Sequence, residues 1–558
     1  MSRIISTGEQ YFCTLRQHNL FYIDKTKFIK DWWNGFDYVT LITRPRRFGK
    51  TLMLDTIKTF FSQEFANRSD LFEGLEIWKD EKFRNLQGTI PVISLSFSRF
   101  NNNDYANMIS RIKSALASIY DSFTRFIDLN AMSEIGKKIF NAVSDSMSDG
   151  TAQDSLHYLC KFITMQYNIK PIILLDEYDT PLQEAWLNGY WKEMTSFMRG
   201  FFNATFKDNP WLERGLITGI TRVAKESIFS DMNNIEVVSC TSDMYADCFG
   251  FTEQEVFSAM DEYCLTDKPK VKYWYDGFNF GKTKEIYNPW SIINYLKKKE
   301  FVSYWANSSS NKLISDLIVN ADEDIKEEIS KLLQGDFIST KMDEEIVFTQ
   351  LDDTGALWSL LMATGYLKPI KFNLETKDYE LTLTNHEVHE VFDTLITNWF
   401  KKSINFKRKF LEALLSDDLA CMNTNLKEVT KTAFSFFDSS GNEPERFYHG
   451  FVLGLIVDLK EHYIIKSNRE SGDGRYDVMM IPRHTNLHSI IIEFKTADTK
   501  DENNLEKTCH SAIKQIRDKN YIADLLYNNI TADNIYIYGI AFQKKNVLIC
   551  GGLESKID

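Results

Sequence analysis

At 558 residues, with 43% apolar and 14% aromatic side chains including 41 Phe, the chain has material for several hydrophobic cores and does not read as a disordered polymer. A net charge of −13 and a pI near 5.4 exclude nucleic-acid binding through bulk positive charge, so any such contact needs a local basic surface. The eight cysteines are scattered, with no C-x-x-C pair and no zinc spacing, the pattern of reduced intracellular thiols. There is no apolar leader segment and no apolar run of membrane-spanning length. These features predict a soluble cytoplasmic protein that does not associate with membranes.

The first elements carry the first chemistry. Phe21–Thr26 and the pair Trp32 and Trp33 form an aromatic lead-in. Tyr38–Thr43 is a β-branched apolar run, the composition of a buried strand. Arg44-Pro45-Arg46-Arg47-Phe48-Gly49-Lys50-Thr51 follows at once. Met53, Ile57, Phe60 and Phe61 then recur at the spacing of one buried helix face. Strand, loop and helix around Gly-Lys-Thr is the context of a phosphate-binding loop. There the backbone N–H groups and helix N-terminus cradle phosphates, the lysine meets the outer phosphates and the hydroxyl holds Mg²⁺. The usual first glycine is replaced by Arg44, so the loop closes differently, and Arg44, Arg46 and Arg47 are candidates for phosphate contacts. The plain alternative is a basic turn ahead of an amphipathic helix.

Thr89–Phe97 reads as a second strand and residues 104–165 as largely helical. Pro171–Leu175 is a fully apolar strand, as a sheet buried on both faces requires, and it ends in Asp176 and Glu177. Ligands of such sheets sit at the carboxyl ends of strands. Asp176 is therefore a candidate for holding Mg²⁺ with Thr51, and Glu177 for polarising an attacking water. A further strand, Gly215–Thr221, brings Thr218, Thr221 and Arg222 as candidates for sensing the terminal phosphate. Alternating strands and helices predict an α/β doubly wound domain over residues 1–250.

The order of these motifs resembles the AAA-ATPase-like family of bacterial proteins, in which a degenerate R-P-R-R-F-G-K-[ST] loop replaces the standard one. Residues 44–51 match it letter for letter, and Tyr22–Thr26, Leu175–Asp179, Thr218–Arg222 and Lys225–Phe229 match its other blocks. The resemblance implies ATP and Mg²⁺ (or Mn²⁺) as cofactors, with Gly49, Lys50 and Thr51 at the phosphates, and makes Arg44 a family trait. A homo-oligomer is compatible with an ATPase of this type.

Residues 251–437 are expected to be a mostly helical lid and connector, with aromatic blocks at Tyr273–Phe278 and Tyr287–Ser291. The polar stretch Asp438–Asn442 marks a boundary, beyond which residues 438–558 form a smaller α/β domain. A helix opening at Glu445 precedes a strand at Tyr463–Ile465. Asp477 follows a glycine turn at the start of a strand. Ile490–Lys495 is an apolar strand whose period of two sets Glu493 and Lys495 on one face. Asp477 and Glu493, with Glu445 as a third carboxylate, are hard ligands for Mg²⁺ or Mn²⁺, and Lys495 is placed to offset developing charge. A solvated, cross-paired strand face is the plain alternative.

This pattern resembles the PD-(D/E)XK nuclease superfamily, on Glu445–Gly450, Asn468–Gly472, Gly474–Asp477, Ile492–Lys495 and the helix Ala512–Ile516 followed by Tyr521. Tyr476 stands where the motif has proline. The resemblance implies catalytic roles for Asp477, Glu493 and Lys495, with a Gln or Tyr beside the metal site. The expectation for the whole chain is an ATPase gating a metal-dependent nuclease, with DNA or RNA as substrate. The rival is a nucleotide-dependent switch or scaffold whose nuclease-like domain only binds a partner.

Overall fold

The computed structural model describes residues 2–221, 228–229, 232–305, 317–318, 323–333, 335–342, 354–373, 375–392, 404–433, 452, 456, 459, 462–471, 474–484, 487–497, 504–523, 525, 530–543 and 546–556. Two compact units divide the chain: residues 1–317 with 331–391, and residues 318–330 with 392–558.

The first unit is built on five parallel strands: β1 (Val39–Thr43), β2 (Val92–Ser96), β3 (Ile172–Asp176), β4 (Arg214–Gly219) and β5 (Ile235–Val238). Their spatial order is β2-β3-β4-β1-β5. β1, β3 and β4 are buried along their whole length, because helices cover both faces. Ile173, Leu175, Leu41 and Ile217 pack into one core with helices α2 (Tyr105–Phe123), α3 (Asp149–Tyr167) and α5 (Trp191–Phe206). Ile172, Leu174, Ile42 and Leu216 face the other way, against Met53, Ile57, Phe60 and Phe61 of helix α1 (Lys50–Phe61). Helix α4 (Thr180–Leu187) follows β3 directly. The predicted strands of the nucleotide half are all present, with β5 in addition.

The expectation of a mainly helical stretch over 251–437 meets a more mixed structure. Among the described residues, six short strands lie there beside the helices. β6 (Phe251–Thr252), β7 (Phe278–Phe280) and β8 (Thr283–Tyr287) form one small antiparallel sheet. β9 (Ile338–Lys341), β10 (Leu367–Phe372) and β11 (Asp378–Leu383) form another. Helix α6 (Pro289–Lys298) starts at Asn288, whose side chain accepts from the N–H groups of Trp290 and Ser291.

The second unit holds β12 (Tyr463–Ser471), β13 (Gly474–Pro482), β14 (Ser489–Thr496), β15 (Ile535–Gln543) and β16 (Asn546–Leu553), in that spatial order. β14 and β15 run parallel and the other neighbours antiparallel. One face is covered by α7 (Ile404–Leu415) and α8 (Leu419–Ala433), through Phe410, Leu414, Met422 and Leu426. The other is covered by α9 (Asn504–Asp518), through Ile513 and Ile516. Cys509 of α9 and Cys550 of β16 are bridged across 6.1 Å between their Cα atoms, which departs from the expectation that all eight thiols are reduced. No helix among the described residues is long and apolar enough to cross a membrane.

Asp276, at the end of a helix in the first unit, is half-buried, and its Oδ1 has no hydrogen-bond partner. Burial raises its carboxyl to about 6 from an ordinary 3.8, against the opposing backbone N–H of Gly277 and the charges of Lys272 and Lys368. The folded chain then holds this proton over a range where the unfolded chain has released it. Stability therefore falls as pH rises from about 4 to about 6. Asp276→Asn is expected to gain about 1–2 kcal/mol at pH 7.5, after allowance for solvent screening, and nothing at pH 4. Urea unfolding at the two pH values checks it.

Candidate functional site

The loop between β1 and α1 turns through two residues in the left-handed region, Arg47 at φ +66° and Gly49 at φ +79°. Glycine adopts this conformation freely, whereas Arg47 does so against its Cβ. Lys50 opens the helix and is buried. Its ammonium donates to the carbonyls of Arg44 and Pro45 at 2.8 Å each, so it is folded back onto its own loop. Burial lowers it to about 8, although the charges of Asp176, Asp179 and Glu177 oppose that shift.

Asp176 lies at the carboxyl end of β3 and is almost wholly buried. Oδ2 accepts from the Thr51 hydroxyl at 2.7 Å and Oδ1 from the Thr218 hydroxyl at 2.5 Å. Thr51 and Asp176, predicted from positions 125 residues apart, are thus adjacent. A hydroxyl and a carboxylate side by side form a hard-oxygen donor set that suits Mg²⁺. Thr218 is at the site as well, but its hydroxyl holds Asp176. Glu177 sits at φ +53°, and burial, with the neighbouring Asp176 carboxylate, pushes its carboxyl up.

The turn after Glu177 is stitched to the end of β4. Tyr178 N–H donates to the Thr218 carbonyl and Tyr178 OH to the Thr221 carbonyl. Asp179 Oδ2 accepts from Ile220 N–H, Thr221 N–H and Thr221 Oγ1 at 2.9–3.0 Å. Gly219 permits this packing, since a Cβ there would come within 2.6 Å of the Tyr178 ring. Tyr178 and Asp179 were not singled out as site residues, although the run Leu175–Asp179 contained them.

The three arginines separate. Arg44, expected to contact phosphate, is completely buried. Its Nη1 donates to the carbonyls of Thr43, Val238 and Ser239, and its guanidinium lies 4.4 Å from the Phe280 ring centroid. In place of glycine, position 44 carries a side chain that ties β1 to β5, while its Nε and Nη2 are buried without a hydrogen-bond partner. Arg47 stacks on Trp290 at 4.5 Å. Arg46 is exposed, and its charge acts on both Lys50 and Glu177. Arg222 lies outside the described residues.

The second constellation lies in the C-terminal sheet. β13 and β14 pair at Met480–Ile490, Met479–Ile491 and Val478–Ile492, and there the ladder stops. At the next rung two carboxylates stand in for backbone pairing. Asp477 Oδ2 accepts the Phe494 N–H at 2.9 Å, and Glu493 Oε2 accepts the Asp477 N–H at 3.4 Å. Period two puts Asp477, Glu493 and Lys495 on the face that carries Met479 and Ile491, the face under α9. Lys495 Nζ bonds Ser511 Oγ at 3.3 Å, and Gln515 donates to Glu493 Oε1 and lies 3.2 Å from Tyr521 OH. Burial pushes the Tyr521 hydroxyl up, with the charges of Glu493 and Asp477 adding to it. Gln515 and Tyr521 thus lie beside Glu493. Glu445 lies outside the described residues.

A glycine seats α9. Glu493, Gly539 and Cys550 form one row across β14, β15 and β16. A Cβ on Gly539 would come within 2.4 Å of the Cys509 carbonyl oxygen in α9. Without it the helix descends until Gln515 reaches Glu493.

Residues 6–229 match the family model described as Predicted AAA-ATPase, and residues 443–551 that described as PD-(D/E)XK nuclease superfamily. The chain joins a predicted AAA-ATPase domain to a PD-(D/E)XK nuclease superfamily domain. A relative from Azotobacter chroococcum mcd 1, described as an uncharacterized protein in the vnfD 5′ region, is 22% identical over 98% of this chain and 97% of its own. Among solved structures, the Aeropyrum pernix ORC2 protein (ADPNP–ADP complexes) is 12% identical, covering 66% of this chain and 92% of that one at a TM-score of 0.23. Drosophila ORC bound to AT-rich DNA and Cdc6 is 10% identical, covering 68% and 90% at 0.19. Overlaps this loose add nothing to the fold described above.

Two other features of the AAA-ATPase unit lie outside these sites. Carboxylates of Glu253, Asp276 and Glu285 gather within 4.8 Å, but the Lys272 ammonium already bonds Glu253 at 2.7 Å and Glu285 at 2.5 Å. A cavity of about 150 Å³ lined by Pro91, Val92, Phe123 and Tyr167 lies at the amino end of β2, the wrong end of the sheet for a nucleotide.

Gly539→Ala is expected to lift α9, costing about 1–3 kcal/mol of stability in the C-terminal unit. It is also expected to weaken Mn²⁺ binding as Gln515 leaves Glu493. Urea unfolding and calorimetric Mn²⁺ titration check the two effects.

Proposed function

We propose that the chain binds and hydrolyses ATP and that its C-terminal domain is a Mg²⁺- or Mn²⁺-dependent nuclease acting on nucleic acid in the cytoplasm, with the nucleotide state gating cleavage. The observation that carries the ATPase half is the joining of Thr51, Asp176 and Thr218 at the carboxyl ends of β3 and β4, one residue from Lys50. The nuclease half is carried by the two carboxylates that fill the fork between β13 and β14. The functional parts are residues 1–250 for nucleotide, 251–437 as lid and connector, and 438–558 for the nuclease, with α7 and α8 walling the nuclease sheet. Homo-oligomers of the ATPase part belong to the same reading.

In this reading Lys50 leaves the carbonyls of Arg44 and Pro45 for the outer phosphates of ATP, and Arg46 adds charge at the loop's open side. Thr51 and Asp176 would hold a cation at the first site, and Asp477 and Glu493 at the second. When bound, such a cation neutralises phosphate charge and lowers the pKa of coordinated water. Glu177, its carboxyl raised by burial, accepts the proton of the water that attacks the terminal phosphate. Lys495 offsets the charge that develops on the cleaved phosphodiester, while Gln515 fixes the rotamer of Glu493. The substrate must approach a chain of net charge −13. Residues 441–558, with 15 Lys/Arg against 17 Asp/Glu, are its less repulsive end.

The test is cleavage of mixed single- and double-stranded DNA and RNA in Mg²⁺ and Mn²⁺, with and without ATP, beside Asp477→Ala and Lys50→Ala. Asp477→Ala is expected to lower cutting by at least about 100-fold, since it deletes a metal ligand outright. Lys50→Ala is expected to abolish nucleotide binding and any effect of ATP on cutting. No cutting under any condition, with ATP still hydrolysed, would replace the nuclease by a nucleotide switch whose C-terminal domain only binds a partner.

A further inference from the structure

A phosphate-binding loop works by turning its amides inward, and glycines ordinarily let it do so. This loop has Arg44, Pro45, Arg46, Arg47 and Phe48 where that freedom is needed. Something outside it must therefore set its peptide planes.

Every carbonyl from Arg44 to Arg46 is held by a side-chain donor. Lys50 takes the first two, an arrangement that ends when its ammonium moves to phosphate. The third, Arg46 C=O, is held by two donors from residues 288–305. Asn288 Nδ2 bonds it at 3.2 Å and Trp305 Nε1 at 3.0 Å. Neither donor can readily turn away. Asn288 is completely buried, and its Oδ1 caps α6 by accepting from Trp290 N–H at 2.9 Å and Ser291 N–H at 3.3 Å. Its amide orientation is thereby settled, because the flipped form would set NH₂ against two N–H donors. The Trp305 ring is packed by Phe278 and Tyr366, with centroids 5.6 and 5.3 Å away. The described backbone has no cis peptides, and across a trans peptide the C=O and N–H point in opposite directions. With Arg46 C=O drawn to Asn288 and Trp305, the Arg47 N–H is directed the other way, away from residues 288–305.

We propose that Asn288 and Trp305 are positioning residues of the nucleotide site: by holding the Arg46 carbonyl they present the Arg47 N–H to phosphate, doing for this loop what glycine does for others. The assignment rests on the nucleotide reading given above. It also gives the block Tyr287–Ser291, seen in the sequence only as an aromatic turn, a task at the site.

Two near-isosteric variants test it in the full-length protein. Asn288→Asp keeps the cap on α6 but sets an oxygen against Arg46 C=O. Trp305→Phe keeps an aromatic ring and removes the donor. Three quantities are read for wild type, both variants and Lys50→Ala: affinity for a fluorescent ATP analogue with Mg²⁺, competition by inorganic triphosphate, and melting temperature without nucleotide. Each variant is expected to bind the ATP analogue and triphosphate about tenfold more weakly at a temperature where it is still fully folded, with a nucleotide-free melting temperature somewhat lowered by the change at a buried position. Triphosphate isolates the cradle, since it carries no base or ribose. The assignment is overturned if Lys50→Ala loses binding while both variants bind like wild type, or if only the ATP analogue weakens and triphosphate does not. A fall in the melting temperature of both variants with no loss of triphosphate affinity in the folded state would also overturn it, as the mark of a purely structural role. If wild type binds no ATP analogue, the nucleotide reading itself fails and the assignment fails with it.

Discussion

One buried carboxylate holds the N-terminal site together. Asp176 has two oxygens, and each has drawn in a hydroxyl from a different element, Thr51 from α1 and Thr218 from β4. A charge this deep in a protein is tolerable only when hydrogen-bonded. The fold meets that requirement by bringing the helix N-terminus and the neighbouring strand to the same point. The turn of Lys50, the crossing of α1 over the sheet and the place of Glu177 all follow from that junction.

The two domains place carboxylates by different means. In the AAA-ATPase domain the sheet is parallel and covered on both faces, so polar groups can emerge only where strands end. In the nuclease-superfamily domain the carboxylates sit within the sheet, at the rung where β13 and β14 part. There Asp477 and Glu493 receive N–H groups that a longer ladder would have paired with carbonyls. One site is a boundary of secondary structure and the other a local failure of pairing.

This difference accounts for what could be read from the amino-acid sequence. Apolar runs ending in charge are a one-dimensional signal, so β1, β3, β4 and their terminal residues were legible. So was Glu493-x-Lys495, because a period of two needs no partner. Illegible features depend on residues far apart in the chain. The buried packing of Arg44 requires Val238, Ser239 and Phe280, and nothing near position 44 foretells them. The bridge between Cys509 and Cys550 requires α9 to descend onto Gly539 of β15, the neighbour of Cys550 across the sheet. The six strands described within 251–437 are short, from two to six residues, and were hidden among helical patterns. β5 is only four residues long, and its alternating burial resembles a loop more than a strand of a covered sheet.

The stitching of Tyr178 and Asp179 to the end of β4 has a mechanical consequence. Five hydrogen bonds and a ring-on-glycine contact join the residues after Glu177 to Thr218, Ile220 and Thr221. With so many links across so short a span, the two segments cannot slide past each other without breaking several at once. They therefore move as a single stiff body that carries the carboxylates with it. A displacement of a few tenths of an ångström at Glu177 is passed to the end of β4, where a looser turn would have absorbed it.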